Sequence, residues 1–196
     1  AVARVQLGTD TTLLAGGADQ YDPLVHLSLV QSGLLTGSAA GGVLSEGAAL
    51  VVVEREATAK ARGAEPLARV LGTGHIRGGP IADGCRLAAE AALERAGLPR
   101  DAGFDAILGA PAASSEAAAH VEAFAEVAGT APLVLPWVGV GEAFGFTGAA
   151  TAWAGAQALR HGQLPASHIP AGALPEALTA KCSPLGAPVS GTTGRI

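Results

Sequence analysis

The sequence lacks methionine, contains only two cysteines and is poor in aromatic residues, and each shortage restricts what the chain can be. Cys85 and Cys182 show neither CxxC nor Cys/His spacing, which favours two free thiols in a reducing cytoplasm over a disulfide or reactive pair. Aromatic residues make up 4% of a chain that is 49% hydrophobic. Small Ala and Gly residues must therefore fill much of the core, which predicts close packing of backbones.

Long apolar runs and basic runs are also missing. No apolar stretch approaches the length of a membrane span, and no signal peptide opens the chain, so we expect a cytoplasmic protein. The net charge of −5 makes nucleic acid and anionic membranes poor partners. The five histidines are scattered without the spacing of metal ligands. The sequence therefore predicts neither a metal site nor a directly bound cofactor.

The start of the sequence lacks both an initiating methionine and a helix cap. Ala1 leads directly into AVARVQL, a pattern typical of the interior of a helix. From this we expect a piece of a longer protein: a processed product, a split subunit or a partial sequence.

Short apolar runs alternate with helical patterns along the rest of the chain. The predicted strands are Thr11–Ala15, Ala49–Glu54, Leu67–Leu71, Asp105–Gly109 and Leu133–Leu135, with a weak sixth near Val189. The predicted helices are Ile81–Ala96, Ser115–Ala128 and Thr147–Leu159. This alternation indicates an α/β fold with a largely parallel sheet. The Pro- and Ala-rich tail, Pro165–Pro188, is expected to be an irregular surface connection.

The helix predicted over 147–159 is apolar nearly all round and built from small residues. It is therefore expected to lie between two layers, with close backbone approach. The segment before it, Pro136–Gly148, reads PWVGVGEAFGFTG. A short apolar strand there leads into a glycine-rich turn, and Thr147 is a candidate cap for the helix. Such a layout presents a side chain at a strand end, and here that side chain is Glu142.

This segment resembles the strand–turn–helix of β-ketoacyl synthases, written K-S-x-x-G-H-x-x-G-A-A-G in that family. Gly141, Gly145 and Gly148 fit its glycine positions. Four other segments resemble further motifs of the family and occur in the family's order. Gly8–Asp19 resembles G-x-A-D-x-x-L-A-G-G, and Val43–Glu54 resembles G-F-V-x-G-E-G-A-x-x-x-V-L-E. Leu93–Leu98 resembles A-L-x-x-A-G-L, and Leu159–Pro165 resembles L-x-x-G-x-x-P. Together they cover nearly the whole chain.

The resemblance implies a thiolase-like, layered αβαβα fold. Residues 1–60 would form the end of its N-terminal half and residues 61–196 most of its C-terminal half. The polar junction Arg55–Glu65 is the candidate seam between them.

The positions that carry catalysis in that family are changed here. By this resemblance, the first of its two histidines aligns with Ala110, or with Pro111 if the alignment slips by one. The second histidine aligns with Glu142, and the family's lysine aligns with Trp137. Alanine offers no side-chain hydrogen bond, and an ionised glutamate repels a developing enolate. The cysteine nucleophile would lie upstream of Ala1. Glu142 could also act as a buried general base, pair with a partner subunit or simply fill the altered pocket.

These replacements are similar to those in chain-length factors, the catalytically silent partners of type II polyketide ketosynthases. The resemblance implies a heterodimer with an active ketosynthase, in which this subunit shapes the tunnel for the growing acyl chain. Trp137, Phe144 and Phe146 would line or plug the altered pocket, with core packing as the alternative. Acyl groups would arrive on the phosphopantetheine of an acyl carrier protein, held through the partner.

Two other functions remain open. The chain could belong to an active β-ketoacyl synthase or acyltransferase whose nucleophile lies on a missing or cleaved N-terminal segment that stays associated. It could instead be a non-enzymatic scaffold that binds acyl carrier protein without forming a tunnel.

Overall fold

The computed structural model describes residues 1–33, 35, 44–109, 117–136, 144–167, 169 and 174–182. The described helices are α1 (Val2–Gln6), α2 (Pro23–Gln31), α3 (Glu56–Ala61), α4 (Ile81–Arg95), α5 (Ala117–Ala128), α6 (Thr147–His161) and α7 (Glu176–Thr179). The described strands are β1 (Thr12–Asp19), β2 (Gly47–Glu54), β3 (Ile107–Leu108) and β4 (Leu133–Val134). This order confirms the α/β class, because helices and strands alternate along the chain.

β1 and β2 form an antiparallel pair in which Thr12 lies opposite Glu54 and Asp19 lies opposite Gly47. Both strands were expected from their apolar runs, but each is longer than predicted. The expectation of a largely parallel sheet is wrong for this pair. Apolar runs predict strands but not their relative direction, and in an antiparallel pair alternate residues exchange hydrogen bonds with the residues opposite them.

β3 and β4 form a parallel pair, as predicted, with Ile107 opposite Leu133. The backbone N–H of Ile107 donates to the carbonyl of Pro132, and that of Gly109 donates to the carbonyl of Val134, each at 2.9 Å. Both strands are shorter than the apolar runs that predicted them.

β4 separates two clusters of buried side chains. Leu133 and Leu135 face a cluster completed by Val121 of α5, Leu178 of α7 and neighbouring residues. Val134 faces the other way, towards a cluster that includes Ala106 and Ala158. This alternation follows from the two-residue period of a strand, and it places helices on both faces of the β3–β4 pair.

α6 packs against the β1–β2 pair. Through Ala158 it also packs against the Val134 face of β4, which is opposite to the face that contacts α5. Its buried residues are small: Ala150, Ala154, Gly155 and Ala158. The expectation of a helix between two layers is therefore confirmed, although Trp153 is exposed. The predicted cap is wrong, since Phe146 is the N-cap residue and Thr147 is the first residue of the helix. The helix ends at Gly162, whose positive φ of 67° suits glycine.

The strand predicted over Leu67–Leu71 is absent from the structure, although these residues are described. The chain that follows runs against α4 instead of beside a strand. Gly72 and Gly74 approach the carbonyls of Ala92 and Ala88 so closely that neither position has room for a Cβ atom. Contact with a helix has thus taken the place of strand pairing.

The described part of the tail is not the surface connection that the composition of Pro165–Pro188 predicted. Leu174, Leu178 and Cys182 are buried, and they belong to the cluster around β4. Ser167 is also buried, and its Oγ accepts a hydrogen bond of 2.9 Å from the N–H of Leu135. The spacing of four residues between the three apolar positions is typical of one helical face, and this signal could have identified the docked turn.

Other expectations are confirmed or fall outside the described residues. α4 matches its prediction and is followed by Gly97 with a φ of 68°, while Val121, Phe124 and Ala128 of α5 face inward. The weak strand near Val189 lies outside the described residues. The boundary near residue 60 stays a prediction. Within the part of the chain that the structure describes, no helix is long and apolar enough to cross a membrane.

Candidate functional site

The predicted site residues divide into two groups. Trp137, Ala110 and Glu142 lie outside the described residues. Phe144 and Phe146 are described and immediately precede α6. The part of the site that the structure describes is therefore the turn Phe144–Phe146, together with the residues that contact it.

The turn is attached to the end of β1 through Gly145. The backbone N–H of Gly145 donates a hydrogen bond of 2.5 Å to Oδ2 of Asp19, which lies 126 residues earlier in the chain. The carbonyl of Gly145 also faces the backbone of Gly17, so closely that a Cβ at Gly17 would overlap it. Glycine at both positions permits this approach of two backbones.

Phe146 lies over the other strand of the pair. Its ring covers Gly47, and a Cβ built at Gly47 would lie 3.0 Å from Cζ of that ring. Gly47 is the register partner of Asp19, so the ring and the hydrogen bond sit at the same end of the β1–β2 pair. Phe146 is partly buried, whereas Phe144 is 62% exposed.

Polar groups continue from this end of the pair into α2. Oε2 of Glu46 accepts a hydrogen bond from the N–H of Tyr21, and the Tyr21 ring meets the ring of His26 edge to face. Asp22 caps α2 by accepting from the N–H of Leu24 at 2.7 Å. Nδ1 of His26 is buried without a hydrogen-bond partner among the described residues.

Sequence reasoning missed Asp19, although the signal was present. Asp19 ends an apolar strand two residues after the Gly16–Gly17 pair. An acid at such a strand end is free to accept a hydrogen bond from whatever backbone packs against the glycines. The partner, Gly145, is too distant in sequence for any local pattern to identify.

The described histidines have separate surroundings. His75 contacts Arg77, His120 meets the ring of Phe124, and His161 contacts Gln157. Across residues 1–33, 44–109 and the other described segments, no group of three His, Cys, Asp or Glu side chains is arranged to hold a metal ion.

Both cysteines are free thiols, as predicted. Burial raises the pKa of the Cys85 thiol and that of the Cys182 thiol, because removal from water disfavours the thiolate. A raised pKa is the opposite of what a nucleophilic cysteine needs. Neither thiol therefore resembles an activated nucleophile.

A surface depression of about 300 Å³ lies at the other end of α6, where Leu159 and Arg160 line it together with Glu65, Pro66 and Leu67. At a rise of about 1.5 Å per residue, the 13 positions from Phe146 to Leu159 place it about 20 Å from the turn. It is separate from the predicted site.

No protein-family model matches the chain, and no curated protein matches it. Solved structures do match. A β-ketoacyl synthase from Burkholderia phymatum STM815 aligns over 93% of this chain and 48% of its own, with a TM-score of 0.76 and 25% identity.

Two further matches are a ketosynthase/chain length factor and a complex of a type II PKS acyl carrier protein with its ketosynthase. The ishigamide ketosynthase/chain length factor aligns over 95% of this chain and 50% of its own, with a TM-score of 0.72 and 22% identity. The AntDE:AntF complex, a type II acyl carrier protein with its ketosynthase bound to the hexaketide, aligns over 95% of this chain and 52% of its own, with a TM-score of 0.73 and 15% identity.

The chain therefore resembles β-ketoacyl synthases and has their thiolase-like α/β fold. It spans about half the length of these structures. This confirms the fold that the ordered motifs implied.

Proposed function

We propose that this chain belongs to a non-catalytic, ketosynthase-like subunit of the chain-length-factor kind. In this proposal it pairs with an active ketosynthase in the cytoplasm, stabilises that partner and shapes the tunnel that receives the growing acyl chain. The reaction that it serves is type II polyketide biosynthesis. Acyl groups reach the complex as substrates on the phosphopantetheine of an acyl carrier protein.

One combination supports the proposal: the ketosynthase-like fold is kept, while the sequence motifs align Ala110 and Glu142 with the family's two histidines. Decarboxylation and condensation need donors that stabilise an enolate, and these two side chains are the wrong kind.

The turn supports the second part of the proposal. Phe146 places a large ring against Gly47 at the point where α6 begins, and Phe144 beside it is exposed. Bulky rings at this point limit the space open to an acyl chain. The length of the product then depends on the volume of these side chains.

Exposed apolar residues support a protein partner. Leu14, Leu50 and Val52 lie on one face of the β1–β2 pair, and each is more than half exposed. The adjacent helix α2 has no buried residue, and its Leu24 is 74% exposed. Exposed apolar residues of this kind are typical of surfaces that further polypeptide covers, and in this proposal the partner subunit covers part of them.

The two alternatives make different predictions. An active synthase would consume malonyl groups on acyl carrier protein without any partner ketosynthase. A scaffold would bind acyl carrier protein, but product length would not respond to Phe146. The two polyketide assemblies among the matching structures favour a role beside a ketosynthase.

The experiment is reconstitution of the natural protein with a type II ketosynthase, acyl carrier protein and a malonyl donor, followed by mass spectrometry of the carrier-bound products. We expect no decarboxylation or condensation without the partner. With the partner, Phe146→Ala should shift the longest product to greater length. Trp153→Ala, an exposed aromatic on the same helix, is the matched control and should leave product length unchanged.

Turnover of malonyl-loaded carrier by the subunit alone would contradict a non-catalytic role. Identical product lengths for the native protein and Phe146→Ala, in a complex that still assembles, would contradict the tunnel role and favour the scaffold.

A further inference from the structure

The contact between Asp19 and Gly145 joins the β1–β2 pair to the aromatic turn that the proposed function places at the acyl pocket. Asp19 ends β1 opposite Gly47, the first residue of β2. Gly145 lies between Phe144 and Phe146, directly before α6. Their hydrogen bond of 2.5 Å therefore connects the end of the β1–β2 pair to the aromatic turn.

The fit around this hydrogen bond is close. A Cβ built at Gly145 would lie 2.7 Å from Oδ2 of Asp19, so a side chain there would push the carboxylate away from its present position. Gly17 approaches the carbonyl of the same residue. The backbone of Gly145 therefore has two contacts: its N–H donates to the Asp19 carboxylate, and its carbonyl packs against Gly17.

These contacts differ in how they restrain the turn. The contacts at Gly17 and Gly47 are steric, so they limit approach but do not prevent the turn from moving away. The hydrogen bond to Asp19 is directional, and its charged acceptor makes it stronger than a bond to a neutral oxygen. The carboxylate is the group that draws the turn onto the strands.

The position of Phe146 follows from that of Gly145, because the two residues are adjacent and the ring already touches Gly47. A shift of the Gly145 backbone by an ångström moves the ring by a similar distance. The space beside Gly47 then changes without any change in the aromatic residues themselves.

We infer that Asp19 is a positioning residue that sets the depth of the acyl pocket by holding Gly145, and with it the Phe146 ring, against the end of the β1–β2 pair. The inference about pocket depth rests on the proposed function, whereas the positioning of the turn does not.

The test combines a local and a functional measurement on the natural protein in complex with its partner. Hydrogen exchange of the Gly145 amide reports the bond directly. We expect Asp19→Ala to accelerate this exchange by about 10-fold or more, because a lost net stabilisation near 1.4 kcal/mol corresponds to that factor. Asp19→Asn keeps an acceptor oxygen and should give an intermediate rate, which a general loss of folding would not.

The functional measurement is product length. Asp19→Ala should change the product in the same direction as Phe146→Ala, and Asp83→Asn, on α4, is the matched control that should change neither measurement. Gly145→Ala leaves the carboxylate in place but obstructs its approach, so it should reproduce Asp19→Ala.

Unchanged exchange at Gly145 in Asp19→Ala would overturn the positioning role. Faster exchange with an unchanged product, while Phe146→Ala does alter the product, would overturn the link to pocket depth. If neither variant alters the product although exchange is faster, the proposed function fails and the positioning of the turn stands.

Discussion

The ring of Phe146 covers Gly47, with only 3.0 Å between its Cζ atom and the place where a Cβ of residue 47 would lie. This relationship joins the first residue of β2 to the start of α6, and a side chain at position 47 would have to push the ring away.

We predict that Gly47→Val lowers the free energy of unfolding by about 1–3 kcal/mol, because the added atoms displace the ring. Phe146→Ala should remove most of that penalty when the two changes are combined, giving a coupling of about 0.5–3 kcal/mol. Urea denaturation of the two single variants and the double variant measures it. Ala48→Val adds similar bulk at an exposed position in the same strand, and its effect should stay within about 0.5 kcal/mol. Additive effects of the two changes would show that the contact carries no energy.

The buried tail supplies a second prediction. Leu178 is 5% exposed and packs in the cluster around β4, so Leu178→Ala should lower the free energy of unfolding by about 2–5 kcal/mol. Leu24→Ala, at a residue that is 74% exposed, should cost about 0.5 kcal/mol or less in the protein without a partner. Chemical denaturation of both variants makes the comparison, and equal effects would mean that the tail is not part of the core.

Two glycines near α4 should respond to alanine with opposite signs. Gly74 approaches the carbonyl of Ala88, and Gly74→Ala should therefore destabilise the protein by about 1–3 kcal/mol or more. Gly84 lies inside α4 with open space around it, so Gly84→Ala should stabilise by about 0.5–1 kcal/mol. Thermal denaturation of the two variants is sufficient, and a stabilising Gly74→Ala would disprove the close contact.

The ion pair at the end of β2 predicts a pH dependence. The hydrogen bond and charge of Arg62 lower the pKa of the Glu54 carboxyl, and Nη2 of Arg62 lies 2.5 Å from Oε1 of Glu54. The unfolded chain thus has the higher pKa, and it takes up a proton first as the pH falls. The stabilisation is present above the ordinary pKa of about 4.3 and is lost as the pH falls through the lower folded value.

Glu54→Gln should therefore lose less stability than the native protein between about pH 5 and pH 3. Urea midpoints across this range measure the difference. Glu122→Gln, on the surface of α5, is the control and should follow the native protein. Parallel curves for Glu54→Gln and the native protein would show that this ion pair adds nothing.

Local patterns predicted the elements that local forces control. α4 and α5 show their apolar faces at helical spacing, and Gly97 and Gly162 end helices where glycine alone adopts a positive φ without strain. The apolar runs of β1 and β2 predicted strands correctly. They did not predict that the two strands are antiparallel, because the relative direction of paired strands depends on which segments of the chain lie side by side.

The errors share a physical cause. Leu67–Leu71 has the composition of a strand, but the glycines that follow it pack onto α4 instead. The tail has the composition of a loop, yet Leu174, Leu178 and Cys182 meet a cluster that leaves their side chains buried. In each case the outcome depends on a surface that lies elsewhere in the chain.

The sequence by itself determined the α/β class and the ordered motifs of a ketosynthase-like fold, and it predicted that Ala110 and Glu142 replace two histidines of that family. These follow from residue identity and short-range periodicity, which need no knowledge of distant contacts. Only the tertiary structure decided that Asp19 holds Gly145 and that Phe146 covers Gly47. Those contacts join residues about a hundred positions apart, and only the packing of α6 onto the β1–β2 pair brings them together.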